Sequence, residues 1–376
     1  MMPCFSFLKR KPHFLPGHTG EIDKEVSSIQ NTKFYSYKKL RVATQNFSKA
    51  NKIGVGGFGS VYRGILRDGT MVAIKVLSEE SKQGTREFLN EINVITAIEH
   101  ENLVKLIGYC VEGKQRILVY EYLENNSLEQ TLLGGGLSSM QFSWRKRCEI
   151  CLGVAKGLTF LHEEVQPHIV HRDIKASNIL LDRYLRPKIS DFGLAKLFPD
   201  NMSHISTRVA GTAGYLAPEY ALRGKMNQKV DIYSFGILML EIVSGRCNTN
   251  RRLPPEDRYL LERIWKLHEA GELITMVDSS LGNDFDATEA TNYLKIGLLC
   301  TQDIPSQRPS MSTVVKMLTG EVSVNEEISR PGLPYEFFGG KTDTKNSSYG
   351  ISASKSGDAD NMSSSSGSKT ATSFPQ

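Results

Sequence analysis

The sequence predicts an α+β fold in two lobes, a small β-rich lobe carrying one helix and then a large α-helical lobe. Three observations carry that expectation. β-type runs separated by turn signals fill the first part of the chain, and a helical 3.6-residue pattern fills most of the chain beyond Ser127. A charge-rich strand-and-loop section from Ile169 to Glu219 interrupts the helices once.

Taken in order, Pro3, Pro12, Pro16, Gly17 and Gly20 break any periodicity up to about Lys33, so residues 1–33 are expected to form a flexible segment. Lys52 to Gly64 and Met71 to Leu77 read as strands, and Gln115 to Leu123 as a further one. Between them Phe88, Ile92 and Ile95 recur at helical spacing within Thr85 to Ile98. Beyond about Gly320 the chain is rich in Ser and Gly and poor in apolar residues. Such a stretch buries too little surface to offset its ordering entropy, so residues 320–376 are expected to be a disordered Ser-rich tail. The folded domain is placed at residues 34–319. A length of 376 residues with 40% apolar composition is enough for two compact units and excludes wholesale disorder.

Lys and Arg number 46 against 41 Asp and Glu, a net charge of +5 that is small for this size and gives no reason to expect a nucleic-acid partner. Six scattered cysteines make no disulfide framework and suit a reducing compartment. Cys148 and Cys151 form a C-x-x-C, but no second pair stands at zinc-site spacing and Trp144 to His162 reads as a helix. They are expected to be buried small hydrophobes. The longest apolar stretch, Ile232 to Val243, is interrupted by Ser234 and Glu241 and falls short of the ~20 residues that span a bilayer. At the N-terminus Lys9, Arg10 and Lys11 follow a very short apolar run instead of preceding a long one, unlike a secretory signal. A cytosolic location is expected.

Gly54-x-Gly56-x-x-Gly59, with Gly57 inside it, lets backbone N–H groups approach phosphate oxygens without an intervening Cβ. A flexible glycine turn would read the same way. A dinucleotide-binding turn would need a helix after the last glycine, whereas Ser60-Val-Tyr-Arg continues a strand. Val72-Ala-Ile-Lys75 then places one ammonium on an apolar face where it needs anions, with a solvated edge lysine as the plain alternative. Downstream come His171-Arg-Asp173-Ile-Lys175-Ala-Ser-Asn178, Asp191-Phe-Gly193 and Ala217-Pro-Glu219.

In this order the motifs resemble the protein-kinase signature set, over about Phe47 to Leu318, and the resemblance implies the two-lobed protein kinase fold. It implies that Ile53 and the loop of Gly54, Gly56, Gly57 and Gly59 cover ATP, and that Lys75, paired to Glu91, contacts the α- and β-phosphates. Val61, Ala73 and Leu180 would enclose adenine, Glu121 to Leu123 would form the hinge, and Tyr120 would guard the back pocket, each with core packing as the simpler reading. Asn178 and Asp191 would hold Mg2+, or Mn2+ in its place, and Asp173 would accept the proton of the substrate hydroxyl. Lys175 and Gly211-Thr212 resemble the serine/threonine pattern, with protein substrates; dual specificity toward Tyr stays open. No charged catalytic position is missing, which favours an enzyme over its alternative, a non-catalytic adaptor with a kinase fold.

Phe34-Tyr-Ser-Tyr-Lys-Lys-Leu, Asn102-Leu-Val-Lys-Leu-Ile-Gly-Tyr-Cys110 and Gly211-Thr-Ala-Gly-Tyr-Leu-Ala-Pro-Glu-Tyr220 resemble plant receptor-like kinases of the interleukin-receptor-associated/Pelle group. With neither ectodomain nor membrane span, the expectation is a receptor-like cytoplasmic kinase relaying signals from receptor kinases upstream. Ser203, Ser206, Thr207 and Thr212 lie between Asp191 and Glu219, and Arg172 beside Asp173 is a cation to which a phosphate could pair. Thr207 is expected to be the main switch, with Ser206 and Thr212 next, Thr212 having a structural alternative. Glu219 and Arg308 are expected to form a buried ion pair, and Asp231 to hydrogen-bond the backbone of the catalytic loop. Met2 in place of Gly excludes N-myristoylation. Acylation of Cys4 beside Lys9, Arg10 and Lys11 would supply one lipid and one basic signal for peripheral attachment to the cytosolic face of the plasma membrane, against a solvated basic tail as the alternative.

Overall fold

The computed structural model describes residues 32–333, apart from 57–58, 78–81, 135–139, 200–201 and 255–256. Gly57, Cys4 and the basic cluster at residues 9–11 lie outside the described residues. The smaller lobe runs β1 (Lys33–Phe34), α1 (Tyr37–Ala43), β2 (Lys52–Gly56), β3 (Gly59–Ile65), β4 (Met71–Leu77), α2 (Lys82–Ile95), β5 (Leu106–Glu112) and β6 (Gln115–Glu121). Its strands form one sheet in the order β1-β5-β6-β4-β3-β2, antiparallel except where β1 joins β5. β5 went unrecognised as a strand because Gly108 interrupts its apolar run. That glycine is needed: a Cβ there would lie 2.3 Å from the Lys33 carbonyl oxygen and 2.5 Å from the Tyr35 ring.

The lead-in before the glycine loop is part of this lobe's core. Ser36 caps α1, and Leu40 on the helix joins Tyr35, Val72, Ile74, Cys110, Ile117 and Val119 in an apolar cluster on the outer face of the sheet. Phe47 continues the cover, stacking on Tyr37 and meeting Tyr62 edge-on. On the opposite face α2 turns Phe88 and Ile92 inward, both fully buried, in agreement with the predicted spacing.

The larger lobe continues with α3 (Leu128–Thr131), α4 (Trp144–Thr159), β7 (His168–Val170), β8 (Ile179–Leu181), β9 (Pro187–Ile189), β10 (Lys196–Phe198), β11 (Ile205–Ser206), α5 (Pro218–Arg223), β12 (Lys225–Met226), α6 (Lys229–Ser244), α7 (Leu260–Glu269), α8 (Ala287–Cys300) and α9 (Met311–Leu318). Helix α6 is buried on every side from Val230 to Ser244, which explains why its sequence is apolar all round. It crosses α8 closely: a Cβ on Gly297 would lie 2.6 Å from Leu240, and one on Gly236 would lie 2.8 Å from the Gly297 carbonyl. Among the described residues no helix is long and apolar enough to cross a membrane. Cys151 is buried and Cys148 half-buried, both thiols pushed up by burial, as expected of packing residues.

One boundary moves. Residues 320–333, assigned from composition to the Ser-rich tail, pack on the larger lobe: Leu333 is 2% exposed and the buried Tyr233 hydroxyl donates to the Gly332 carbonyl at 2.6 Å. Ser329 donates to Gln302 through both its N–H and its hydroxyl. A buried phenol needs an acceptor, and this polar stretch supplies one. The rest of the tail, from residue 334, lies outside the described residues.

Candidate active site

The loop between β7 and β8 is set by a carboxylate beneath it. Asp231, in the first turn of α6 and fully buried, accepts the N–H groups of His171 and Arg172, each at 2.7 Å, and meets His162 Nε2 at 2.9 Å. Burial alone would raise the Asp231 carboxyl, but His162 and the backbone donors outweigh it and hold it below the usual range. The strained left-handed backbone of Arg172, φ 73°, is therefore held by its own N–H.

With the loop fixed, Asp173 is surrounded by donors. Its Oδ1 accepts from the Thr212 hydroxyl at 2.6 Å, and its Oδ2 meets Asn178 Nδ2 and Lys175 Nζ, each at 3.0 Å. Lys175 also donates to Thr212 Oγ1 at 2.8 Å. The Asn178 amide nitrogen is committed to Asp173, including its carbonyl at 2.9 Å, which leaves the amide oxygen as a ligand. Asn178 and Asp191 thus provide hard oxygen donors, a set that fits Mg2+ held jointly with phosphate oxygens.

Across the cleft, β4 carries Lys75 between two carboxylates, Nζ to Glu91 Oε2 at 2.9 Å and to Asp191 Oδ1 at 2.8 Å. Burial works to lower the Lys75 ammonium, but Asp191 and then Glu91 more than reverse it, so it stays charged. Burial likewise works to raise Asp191, and Lys75 overrides it, keeping the carboxyl below its usual value. Tyr120 donates its hydroxyl to the other Glu91 oxygen, so it takes part in positioning α2 as well as packing.

Register places the remaining predicted cleft residues together. Val61 lies opposite Lys75, and Ala73 opposite Tyr120, on paired strands, with Leu123 buried and Leu180 half-buried. Ile53 stands at the rim, 41% exposed. Gly56 has open space where its Cβ would be, whereas a Cβ on Gly59 would sit 2.1 Å from the Val76 carbonyl oxygen. The Glu121 carboxylate is occupied by the Lys105 N–H and Lys188 Nζ, each at 2.9 Å, so only its main chain is available to a nucleotide.

The segment after Asp191 is docked. Ile205 and Ser206 pair with Met226 and Lys225, and the Thr207 N–H donates to Gly224 at 3.0 Å. Lys196 Nζ reaches Thr207 Oγ1 at 3.0 Å. Arg172, read from sequence as a cation awaiting an anion, is instead engaged by neutral acceptors: the carbonyls of Leu194 and Arg208, at 3.0 and 2.9 Å, and the Tyr220 hydroxyl. Glu219 and Arg308 form the expected pair at 2.8 and 2.9 Å, with Arg308 1% exposed.

Two positions escaped the sequence reading. Asn90, next to Glu91 on α2, donates through Nδ2 to the carbonyls of Phe192, Gly193 and Ala195 at 3.1, 3.0 and 2.7 Å, tying the helix to the segment after Asp191. Buried Glu241 of α6 accepts from the Tyr215 hydroxyl and the Asn248 N–H, each at 2.7 Å, and burial pushes its carboxyl up to about 8. The glutamate's interruption of an apolar run was the available signal; for Asn90 there was none.

Comparison with known proteins agrees with this geometry. A family model described as protein tyrosine and serine/threonine kinase matches residues 47–318. The chain is 66% identical over 320 residues to Cold-responsive protein kinase 1 of Arabidopsis thaliana, covering 84% of this chain and 82% of that protein. It is 54% identical over 306 residues to a probable leucine-rich repeat receptor-like serine/threonine-protein kinase of the same plant, covering 81% of this chain and 29% of that one. A second probable receptor-like serine/threonine-protein kinase is 53% identical over 311 residues, 82% of this chain and 30% of its own length. The chain therefore spans under a third of those two receptor-like relatives.

Proposed function

The chain belongs to the protein tyrosine and serine/threonine kinase family and is an ATP-dependent serine/threonine protein kinase; from that premise we propose how its residues divide the reaction. Asp173 accepts the proton of the acceptor hydroxyl and aims that oxygen at the γ-phosphorus, with Thr212 and Asn178 fixing the carboxylate. Lys175 steadies the transferring group, and Lys75, held by Glu91, contacts the α- and β-phosphates under the glycine loop of Gly54, Gly56, Gly57 and Gly59. Ile53, Val61, Ala73, Leu123 and Leu180 enclose the adenine, with the main chain of Glu121 at its edge. Mg2+, or Mn2+ in its place, bound through Asn178 and Asp191 would neutralise charge on the phosphate oxygens.

The observation that carries this division is the simultaneous assembly of both clusters, Lys75 between Glu91 and Asp191, and Asp173 between Thr212, Asn178 and Lys175. Asp173→Asn tests it. Transfer to protein serine and threonine should fall by about 10² to 10⁴, the span of a general base, with the melting temperature retained. Transfer within tenfold of the parent would remove Asp173 from the role.

A phosphate on Thr207 would add about −1.5 to −2 charge beside Lys196 and close to Arg172, fixing the segment in its docked form. Ser206 is the second candidate, while the Thr212 hydroxyl, already engaged by Asp173 and Lys175, suits a structural role. Thr207→Ala with undiminished activity would exclude that switch. Signalling below receptor kinases, and attachment at the plasma membrane through acylated Cys4, complete the reading; unchanged membrane fractionation of Cys4→Ser would remove the lipid.

A further inference from the structure

We propose that the acceptor groove selects acidic peptide segments, through a basic loop formed by Arg246, Arg251 and Arg252; this rests on the kinase reading above. Between Ser203 and Arg252, the stretch that runs from the docked segment through α6 to the loop beyond it, the chain has three carboxylates. All three are committed inside the fold, Glu219 to Arg308, Asp231 to the catalytic-loop backbone and Glu241 to Tyr215 and Asn248. The exposed charges of the same stretch are all positive. Arg208, Arg223, Lys225, Arg246, Arg251 and Arg252 stand at the surface with no exposed acid among them.

The loop is anchored where a substrate must pass. Thr212 touches Asp173, and two residues on, the Gly214 carbonyl accepts Asn248 Nδ2 at 2.6 Å. Gly214 has φ 93°, and a Cβ on it would lie 2.9 Å from that same nitrogen, so the contact requires glycine. The Leu260 N–H donates to Asn248 at 2.9 Å and the Asn250 N–H to Arg258 at 2.9 Å, closing the loop on itself. A two-residue step spans at most ~7 Å, so Arg246 begins within that distance of Asn248, and Arg251 and Arg252 are three and four residues beyond it. The opposing charge among the described residues is Asp257, paired to Arg263 at 2.7 Å, and exposed Glu129 of α3, whose field, after that of Glu241, reaches Tyr215 and Cys247, while Glu256 lies outside the described residues. An extended peptide whose acceptor hydroxyl sits at Asp173 therefore passes a loop anchored at Asn248 that carries three exposed arginines, which favours carboxylates and disfavours lysine and arginine.

Three peptides with one central serine test the proposal, flanked by Asp and Glu, by Ala, or by Lys and Arg. The KM for the acidic peptide should be about tenfold or more below that for the basic one, and the gap should narrow at high salt. Replacing Arg246, Arg251 and Arg252 together by Ala should raise the acidic-peptide KM about tenfold, leaving kcat within about twofold and the KM for ATP unchanged. Replacing them by Glu should reverse the preference. Anisotropy of a fluorescein-labelled acidic peptide, which requires no chemistry, reads the same loss, so failed catalysis and failed selection are distinguishable. Equal KM values for the acidic and basic peptides, or an unchanged dissociation constant in the triple variant, would overturn the proposal.

Discussion

The two halves of the cleft are held by different means. On the small-lobe side, Lys75 and Glu91 hold each other by charge and Lys75 reaches across to Asp191, with Tyr120 bonded to Glu91 and Asn90 tying the helix to the segment after Asp191. On the large-lobe side, a short buried carboxylate on the most enclosed helix holds the backbone itself, Asp231 to the N–H groups of His171 and Arg172. Side chains that pair chiefly with one another can re-pair when a polyphosphate arrives. A backbone fixed by a core helix cannot. The small-lobe half is the adjustable partner and the large-lobe half the fixed reference against which an acceptor is aligned.

That contrast is sharpest in what each deletion should do to stability. Asp231→Ala leaves two backbone donors and His162 without their acceptor inside the core, so it should cost about 3 to 5 kcal/mol in chemical denaturation and remove activity as well. Lys75→Met should lower kcat by about 10² to 10³ while shifting the melting temperature only slightly, because the cluster borders an open cleft. A large stability loss in the second variant, or none in the first, would erase the distinction. Asn90→Ala removes the donor shared by three carbonyls and should slow transfer about tenfold, with faster hydrogen exchange at residues 192–196 and a nearly constant melting temperature. A further effect is one of pH. Glu241 holds its proton to about pH 8 when folded but releases it near the ordinary carboxylate value when unfolded, so the folded state binds more protons across that window. Its contribution is full below the ordinary carboxylate value and is lost as pH rises toward 8. Parent stability should therefore fall relative to Glu241→Gln between about pH 5 and 8, measured by thermal melts.

The adjustable half was the more legible in sequence. Glycines, Lys75 and Asp191 sit in short motifs whose chemistry is local, and the helix bearing Glu91 announces itself by Phe88 and Ile92. The fixed half was legible in its catalytic motif, Asp173, Lys175, Asn178 and Thr212, and in the charges Asp231, Glu219 and Arg308, but not in how they are joined. What joins the pieces is tertiary: the acceptors around Arg172, the reach of Asn90 to carbonyls about a hundred positions away, and the acceptor that Gly332 offers Tyr233 depend on packing no spacing records. The strand β5 was lost for a related reason, since Gly108 counts against a strand until Lys33 is seen to occupy the space it leaves.

That short pairing has a bearing on solubility. β5 carries Leu106, Ile107, Tyr109, Cys110 and Val111 at what would be a bare sheet margin, a template for another chain to add a strand. Two residues of β1, one of them a lysine, blunt that margin, and Leu40 covers the apolar surface beside it. A chain begun after Ala43 would expose both at once and should self-associate through them.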